Sequence, residues 1–296
     1  MKRFIPFKLA FLLCLLPAAA LSQTKAVYCQ PEDSLIFHQY IHYMAGHDSL
    51  PYDSLVVRTA LYFLGKPYVA STLEHEPECL VVNLRQFDCT TFVESVLALT
   101  RTFAEGDTSF TAYCDNLRFL RYRDGIIRNY TDRLHYSSDW FYENNRKGIV
   151  RYQGKSHGLY PYHFKLNFMS KHPDNYRQLK SDSDFVAAMR IVEKRISARD
   201  SFYYYIPAGG IDSIATRIPS GDMLGFVTTV KGLDIGHLGI TYRRNGVLTF
   251  INASSKSMKV EVYKGSLSQY VKERPHCPGI MLARPLPRQP LPSGKN

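Results

Sequence analysis

The sequence predicts an α+β fold, a cysteine-bearing helix together with an antiparallel sheet, and three observations predict it. After Asp88, the residues Phe92, Val96, Leu99 and Phe103 recur at i, i+4, i+7 and i+11, one apolar stripe at the helical period. Three runs toward the C-terminus, Met223–Val230, His237–Arg244 and Val247–Ser255, read as strands. Between the last two stands Asn245-Gly246, the strongest short-range signal for a two-residue hairpin turn.

The rest of the chain is organised around these elements. It begins MKRFIPFKLAFLLCLLPAAALSQ, a basic stretch with Lys2, Arg3 and Lys8, an apolar run and a small-residue exit, which reads as a secretory leader over residues 1–22 cleaved near Ser22. A lipid anchor through Cys14 is disfavoured because Leu13 precedes it, where a small residue is expected. No later stretch stays apolar for about 18 residues, so no membrane span is expected. The remaining chain of about 270 residues, with 45% hydrophobic residues overall, suffices for one large domain over 23–285. Residues 34–64 are helical in places and end at Gly65-Lys66-Pro67. Residues 107–200 are polar and aromatic with few clear periods, and the end of the chain, 286–296, is a proline-rich tail.

The formal charge of +11 includes three leader positives, which leaves an excess of about +8 in scattered Lys and Arg. That pattern suits an anionic partner such as a cell-wall fragment, or a merely basic exported protein, and export argues against nucleic acid. Without the leader the chain keeps Cys29, Cys79, Cys89, Cys114 and Cys277. An odd number in an oxidising compartment leaves at least one thiol unpaired, and the pairing of the others stays open. With no CxxC or HExxH spacing, neither a metal nor another cofactor is expected.

Cys89 stands at the start of the predicted helix whether Asp88 caps it or Thr91 does with Glu94 three residues on. Unpaired N–H groups and the positive dipole end there favour a thiolate and can hold an oxyanion. If Asn245-Gly246 makes a two-residue turn, Arg244 faces Val247 and the register runs on to His237 opposite Ser254. Asn252 then shares a face with His237 as its diagonal neighbour, about 7–8 Å away between backbones. A three-residue loop would put the two on opposite faces. A thiol at a helix start, a histidine to take its proton and a polar residue to orient that histidine are what a cysteine nucleophile needs. Taken singly, each has a plainer reading: Cys89 as packing, His237 as a structural strand residue, Asn252 as a strand end.

In chain order the sequence carries Gly65-Lys66-Pro67-Tyr68, Asp88-Cys89, Pro219-Ser220-Gly221-Asp222, His237-Leu238-Gly239-Ile240 and Asn252-Ala253-Ser254. This series resembles the NlpC/P60 superfamily of papain-like cell-wall hydrolases. DCTTFVES, RLHYSSDW, NFMSKHPD and GLDIGHLGI further resemble its DUF1460 branch, N-acetylmuramoyl-L-alanine amidase-like proteins, over roughly residues 55–285. The resemblance implies a papain-like core with the cysteine helix packed on an antiparallel sheet. It implies Cys89 as nucleophile, His237 as general base, Asn252 as its orienter, and Tyr68 with the Cys89 N–H as an oxyanion hole. Two departures are Thr90-Thr91 after Asp88-Cys89, where Ser/Ala-Gly is usual, and Asn at the third position, where His is frequent.

The separation of Cys89 from Gly221 exceeds what a compact core of this kind needs, which makes about 107–215 a helical and loop insertion expected to set specificity. Within it His135, Tyr136, Asp139, Trp140 and Asn167 are expected to form a sugar- and peptide-binding wall, with Ser254 beside it. Trp140 has a core reading, and His135 and Asp139 one as a helix-surface pair. The implied activity is an exported cysteine amidase that hydrolyses the N-acetylmuramoyl-L-alanine bond of muropeptides, small peptidoglycan fragments. Its rivals are a γ-D-Glu-diamino acid endopeptidase, a non-catalytic glycan-binding module, and a scaffold with Cys89 in a disulfide.

Overall fold

The computed structural model describes residues 26–153, 160–199 and 202–288. The expected leader and all but the first three residues of the expected tail lie outside the described residues. In chain order the elements are β1 (Val27–Tyr28), α1 (Pro31–Met44), α2 (Tyr52–Tyr62), β2 (Leu80–Val81), α3 (Cys89–Ala104), α4 (Phe110–Arg121), α5 (Ser137–Arg146), β3 (Val150–Tyr152) and β4 (Tyr160–Pro161). Then come α6 (Phe168–Lys171), α7 (Arg177–Ser181), α8 (Ser183–Ser197), β5 (Tyr204–Pro207), α9 (Ile211–Ile214), β6 (Met223–Val227), β7 (Ile235–Arg244), β8 (Val247–Ser254), β9 (Lys259–Val262), α10 (Leu267–Lys272) and β10 (Gly279–Pro285). The main sheet runs β4-β5-β10-β6-β7-β8-β9, with β3 also paired to β10, and all its pairs are antiparallel. The fold is thus mixed helix and antiparallel sheet, and the helical segments expected within 34–64 are α1 and α2.

The sheet has two apolar faces because its strands alternate. Met223, Val227, Leu238, Ile240, Ile251, Ala253 and Met281 join the core that holds α3. Leu224, Phe226, Leu248, Phe250, Ile280 and Leu282 form a second core with α9 and α10. The helix α3 departs from the single stripe read in its sequence, for every side chain from Thr91 to Phe103 is buried. A helix enclosed on all sides must satisfy its polar side chains internally. Thr100 and Thr102 donate back to the carbonyls of Val96 and Ala98. Thr100 also reaches the Thr59 hydroxyl at 3.0 Å, itself 2.9 Å from that of Tyr40.

Glu94 is the costliest member of α3. Burial pushes its carboxyl up, and Arg121 of α4 opposes this by donating Nε–H to Oε2 at 2.6 Å. Both side chains are 2% exposed, and Arg121 Nη1 donates onward to the Val81 carbonyl at 2.6 Å. Glu94 therefore joins α3 to α4 and, through Arg121, to β2. Removing one partner of such a pair strands a buried charge, so Arg121→Met should lower unfolding free energy by about 3–5 kcal/mol. Glu94→Leu combined with Arg121→Met should recover most of that loss. Urea denaturation of the three proteins checks this, and a double variant less stable than Arg121→Met alone would contradict it.

Candidate active site

Cys89 is set in place from both sides in sequence. Asp88 caps α3 by accepting the Thr91 N–H at Oδ1, 2.7 Å, while the Thr91 hydroxyl accepts the Asp88 N–H at 2.9 Å. Of the two caps the sequence allowed, Asp88 is the one formed, and Glu94 serves Arg121 instead. The Gly65-Lys66-Pro67-Tyr68 segment is pinned to the sheet by Gly65 N–H to Val260 O and Tyr68 N–H to Met258 O, at 2.9 and 3.0 Å. It is pinned to the approach of α3 by Phe87 N–H to Pro67 O and Val69 N–H to Phe87 O. Half-buried Tyr68 is thereby brought beside Cys89, and its hydroxyl is held above its ordinary pKa by burial, then by Cys89 and Asp88.

The hairpin of β7 and β8 turns on Asn245 and Gly246, at φ +50° and +81°, the two positive values a tight turn of this hand requires. Arg244 faces Val247, and the ladder runs in the expected register as far as Ile240 opposite Ile251. Pairing ends there, so His237 and Ser254 are not joined in the ladder. Cys89 lies near this open end, for the Leu238 backbone N–H, next to His237 in the chain, is among the groups that favour its ionised form. Thr241 sends its N–H toward β6, to Asp222 O, so the alternate residue Leu238 sends its own toward β8.

His237 leaves β7 on the side opposite Leu238, between Phe226 and Asn252. Its Nε2 lies 2.9 Å from Asn252 Oδ1. The amide orientation follows from Nδ2, which donates to Glu261 O at 3.5 Å and leaves the carbonyl oxygen for the ring. Nε2 must then carry the proton and Nδ1 the lone pair. The ring is flanked by Phe226, with centroids 5.6 Å apart and planes 27° apart, and more distantly by Tyr270. Gly239, directly opposite Asn252 in this register, makes the diagonal bond feasible. A Cβ there would lie 3.0 Å from Phe250 Cδ2 and from Ile251 O, and 3.6 Å from Asn252 Cβ.

Electrostatically the surroundings of Cys89 oppose the thiolate that the helix start was expected to favour. Cys89 keeps partial exposure as a residue, but desolvation of its sulfur, followed by the Asp88 charge, pushes the thiol up to about 11. The Leu238 N–H and the Thr90 hydroxyl oppose this without overcoming it. Desolvation holds His237 below the ordinary imidazole value, Asn252 partly offsets it, and Arg274 adds to it. All five described cysteines are free, Cys89 among them.

Beside His237 and Asn252, on the side of the second core, lies a cavity of about 600 Å³ that Ser254, Tyr270 and Arg274 also line. The wall expected from the insertion is not part of it, and most of that wall is interior. Trp140 is 2% exposed and packs edge-on against Phe141. Asp139 is 1% exposed and ion-paired to Arg123 and Arg199, at 2.5 and 2.6 Å. Tyr136 is buried and donates its hydroxyl to Glu193 at 2.7 Å. His135 Nε2 is 2.8 Å from the Tyr130 carbonyl, and burial, then Arg133, holds the ring down to about 3. Tyr136 and Asp139 tie α5 and its start to neighbouring segments, Trp140 fills the core and His135 is bonded to a nearby carbonyl, and the aromatic and charged composition of the segment did not distinguish these uses from a binding wall. Asn167 is half-buried in a separate depression with Lys165 and Arg190, its N–H bonded to Gly232 O. Tyr270 and Arg274 carried no sequence signal, because α10 is too short to show a period. Gly239 stood in a quoted motif without a role.

The sequence profile of the AmiA-like family, N-acetylmuramoyl-L-alanine amidase-like, matches residues 58–280. The chain is similar to the crystal structure of an N-acetylmuramoyl-L-alanine amidase from Bacteroides uniformis, at 37% identity and TM-score 0.73 over 78% of this chain and 98% of that one. It is also similar to a Bacteroides fragilis structure provisionally assigned as a xylanase, at 36% identity and TM-score 0.71 over 76% of this chain and 99% of that one. A Legionella pneumophila protein matched to DUF1460 shares the fold at 22% identity and TM-score 0.66, over 88% and 96% of the two chains. The comparison with curated proteins finds no match. On the strength of the profile match and the Bacteroides relatives, the chain belongs to the N-acetylmuramoyl-L-alanine amidase-like family.

Proposed function

We propose that the protein is an exported cysteine amidase with a papain-like core of the NlpC/P60 type, cutting the bond between N-acetylmuramic acid and L-alanine in muropeptides. The observation that carries this is the His237–Asn252 hydrogen bond at 2.9 Å, with Leu238, the next residue in the chain, close enough to Cys89 to favour its ionised form. The bond occupies Nε2, so Nδ1 is the nitrogen left to take the thiol proton. Family membership and the B. uniformis amidases support the bond chosen.

In this reading Nδ1 takes the proton as sulfur attacks the lactyl carbonyl. The tetrahedral oxyanion is met by the Cys89 N–H at the start of α3 and by the Tyr68 hydroxyl. The imidazolium then protonates the departing amine of L-alanine. The thioester left on Cys89 is hydrolysed by water with His237 again as base. Asn252 holds the ring through both proton transfers.

Four outcomes test it. Mass spectrometry of a purified muropeptide digest should show free sugar and an intact stem peptide. Cys89→Ser should abolish turnover while calorimetry still detects fragment binding. A split stem would support the endopeptidase, and an unchanged Cys89→Ser protein a binding module. The active base is neutral His237, and its depressed pKa keeps it neutral as pH falls. The acid limb of kcat/KM should therefore centre below about 6.5. A preformed thiolate–imidazolium pair would instead lose activity as pH rises through 7 to 9, and that profile would overturn the neutral resting pair. Finally, Gly239→Ala should lower kcat by roughly 10- to 100-fold by displacing Asn252 from the ring. An undiminished kcat would show that the glycine has no such part.

A further inference from the structure

Arg274 is the unusual member of the cavity that holds His237. Its guanidinium lies 3.2 Å over the Tyr270 ring, and Nη1 donates to the Tyr270 carbonyl at 2.9 Å, so a half-buried cation is held in one orientation. Arg121, Arg133 and Arg199 are each paired with carboxylates. Among the described residues no carboxylate is in ion-pair contact with Arg274. Glu273, its chain neighbour, accepts instead from Tyr263 and Gln269, at 3.3 and 3.0 Å. Glu261 and Glu273 also line this cavity but neither is ion-paired to Arg274, so an anion seated directly on the guanidinium would offset the positive charge that the base takes up.

We propose that Arg274 is a specificity residue that receives a carboxylate of the substrate, the α-carboxylate of the second stem-peptide residue, during cleavage. The proposal rests on the amidase reading for the position of the scissile bond. On the leaving side of that bond the first residue is L-alanine, which is uncharged. The next is a glutamate joined through its side chain, and its α-carboxylate is the nearest anionic group. The planar fork of Arg, oriented by the tyrosine beneath it, suits a bidentate carboxylate better than the point charge of a lysine would. A fragment whose glutamate is amidated would lose that pairing while keeping its size.

The test reads binding on Cys89→Ser protein, so it does not depend on turnover. N-acetylmuramoyl-L-alanyl-D-glutamate and its D-isoglutamine counterpart differ only in the α-carboxylate. Calorimetry should find the acid bound about ten- to hundredfold more tightly. Adding Arg274→Gln should bring that ratio close to one, and Arg274→Lys should restore only part of it. Equal binding of both fragments before the second substitution, undetectable binding of either, or a ratio that survives Arg274→Gln would overturn the proposal. Failure of the parent enzyme to release free sugar would overturn the amidase reading, while the ratio would still report on Arg274.

Discussion

The hydrogen bond between His237 and Asn252 exists only in one register of one hairpin, and the chemistry read here depends on that register. A strand repeats every two residues, so a slip by one would send Asn252 to the face where α3 packs and leave His237 without an orienting partner. Two residues at positive φ, Asn245 and Gly246, fix the count at the turn. Gly239 clears the space across which the imidazole and the amide meet. The ladder then stops early, with Ile240 opposite Ile251. A missing side chain, which looks like an imperfection in a sheet, leaves the room in which imidazole and amide meet.

The neutral state of the site shows which electrostatic effect prevails. A helix N-terminus stabilises a thiolate by an amount comparable to other surface dipole effects, and that falls short of the cost of desolvating this sulfur. The carboxylate of Asp88, needed as a cap, lies one residue away and adds repulsion. In the proposed reaction, proton transfer to His237 accompanies attack instead of preceding it. An imidazole held below its usual pKa is well suited to remain unprotonated until then.

Much of this was legible in the sequence because it is local. The start of α3, its cap, the hairpin turn and the shared face of His237 and Asn252 all follow from spacing and turn chemistry. What escaped was tertiary. Trp140 and Asp139 have the composition of a sugar site and the surroundings of a core, and only packing separates those uses. The stripe of Phe92, Val96, Leu99 and Phe103 located α3 but gave no sign that its polar face would also be enclosed, since Glu94 and Arg121 find each other across 27 positions. Arg274 belongs to a short helix and a turn with no periodic signature, so its place in the cavity is visible only once α10 is set against the second core.

The elevated thiol pKa also bears on how long the protein lasts once folded. Cysteine reacts with peroxide and stray disulfides as the attacking thiolate, and a thiol pushed up to about 11 offers almost none of that form near neutrality. On the proposed reading the sulfur gives up its proton only as it attacks substrate, and it is spared in the intervals between encounters.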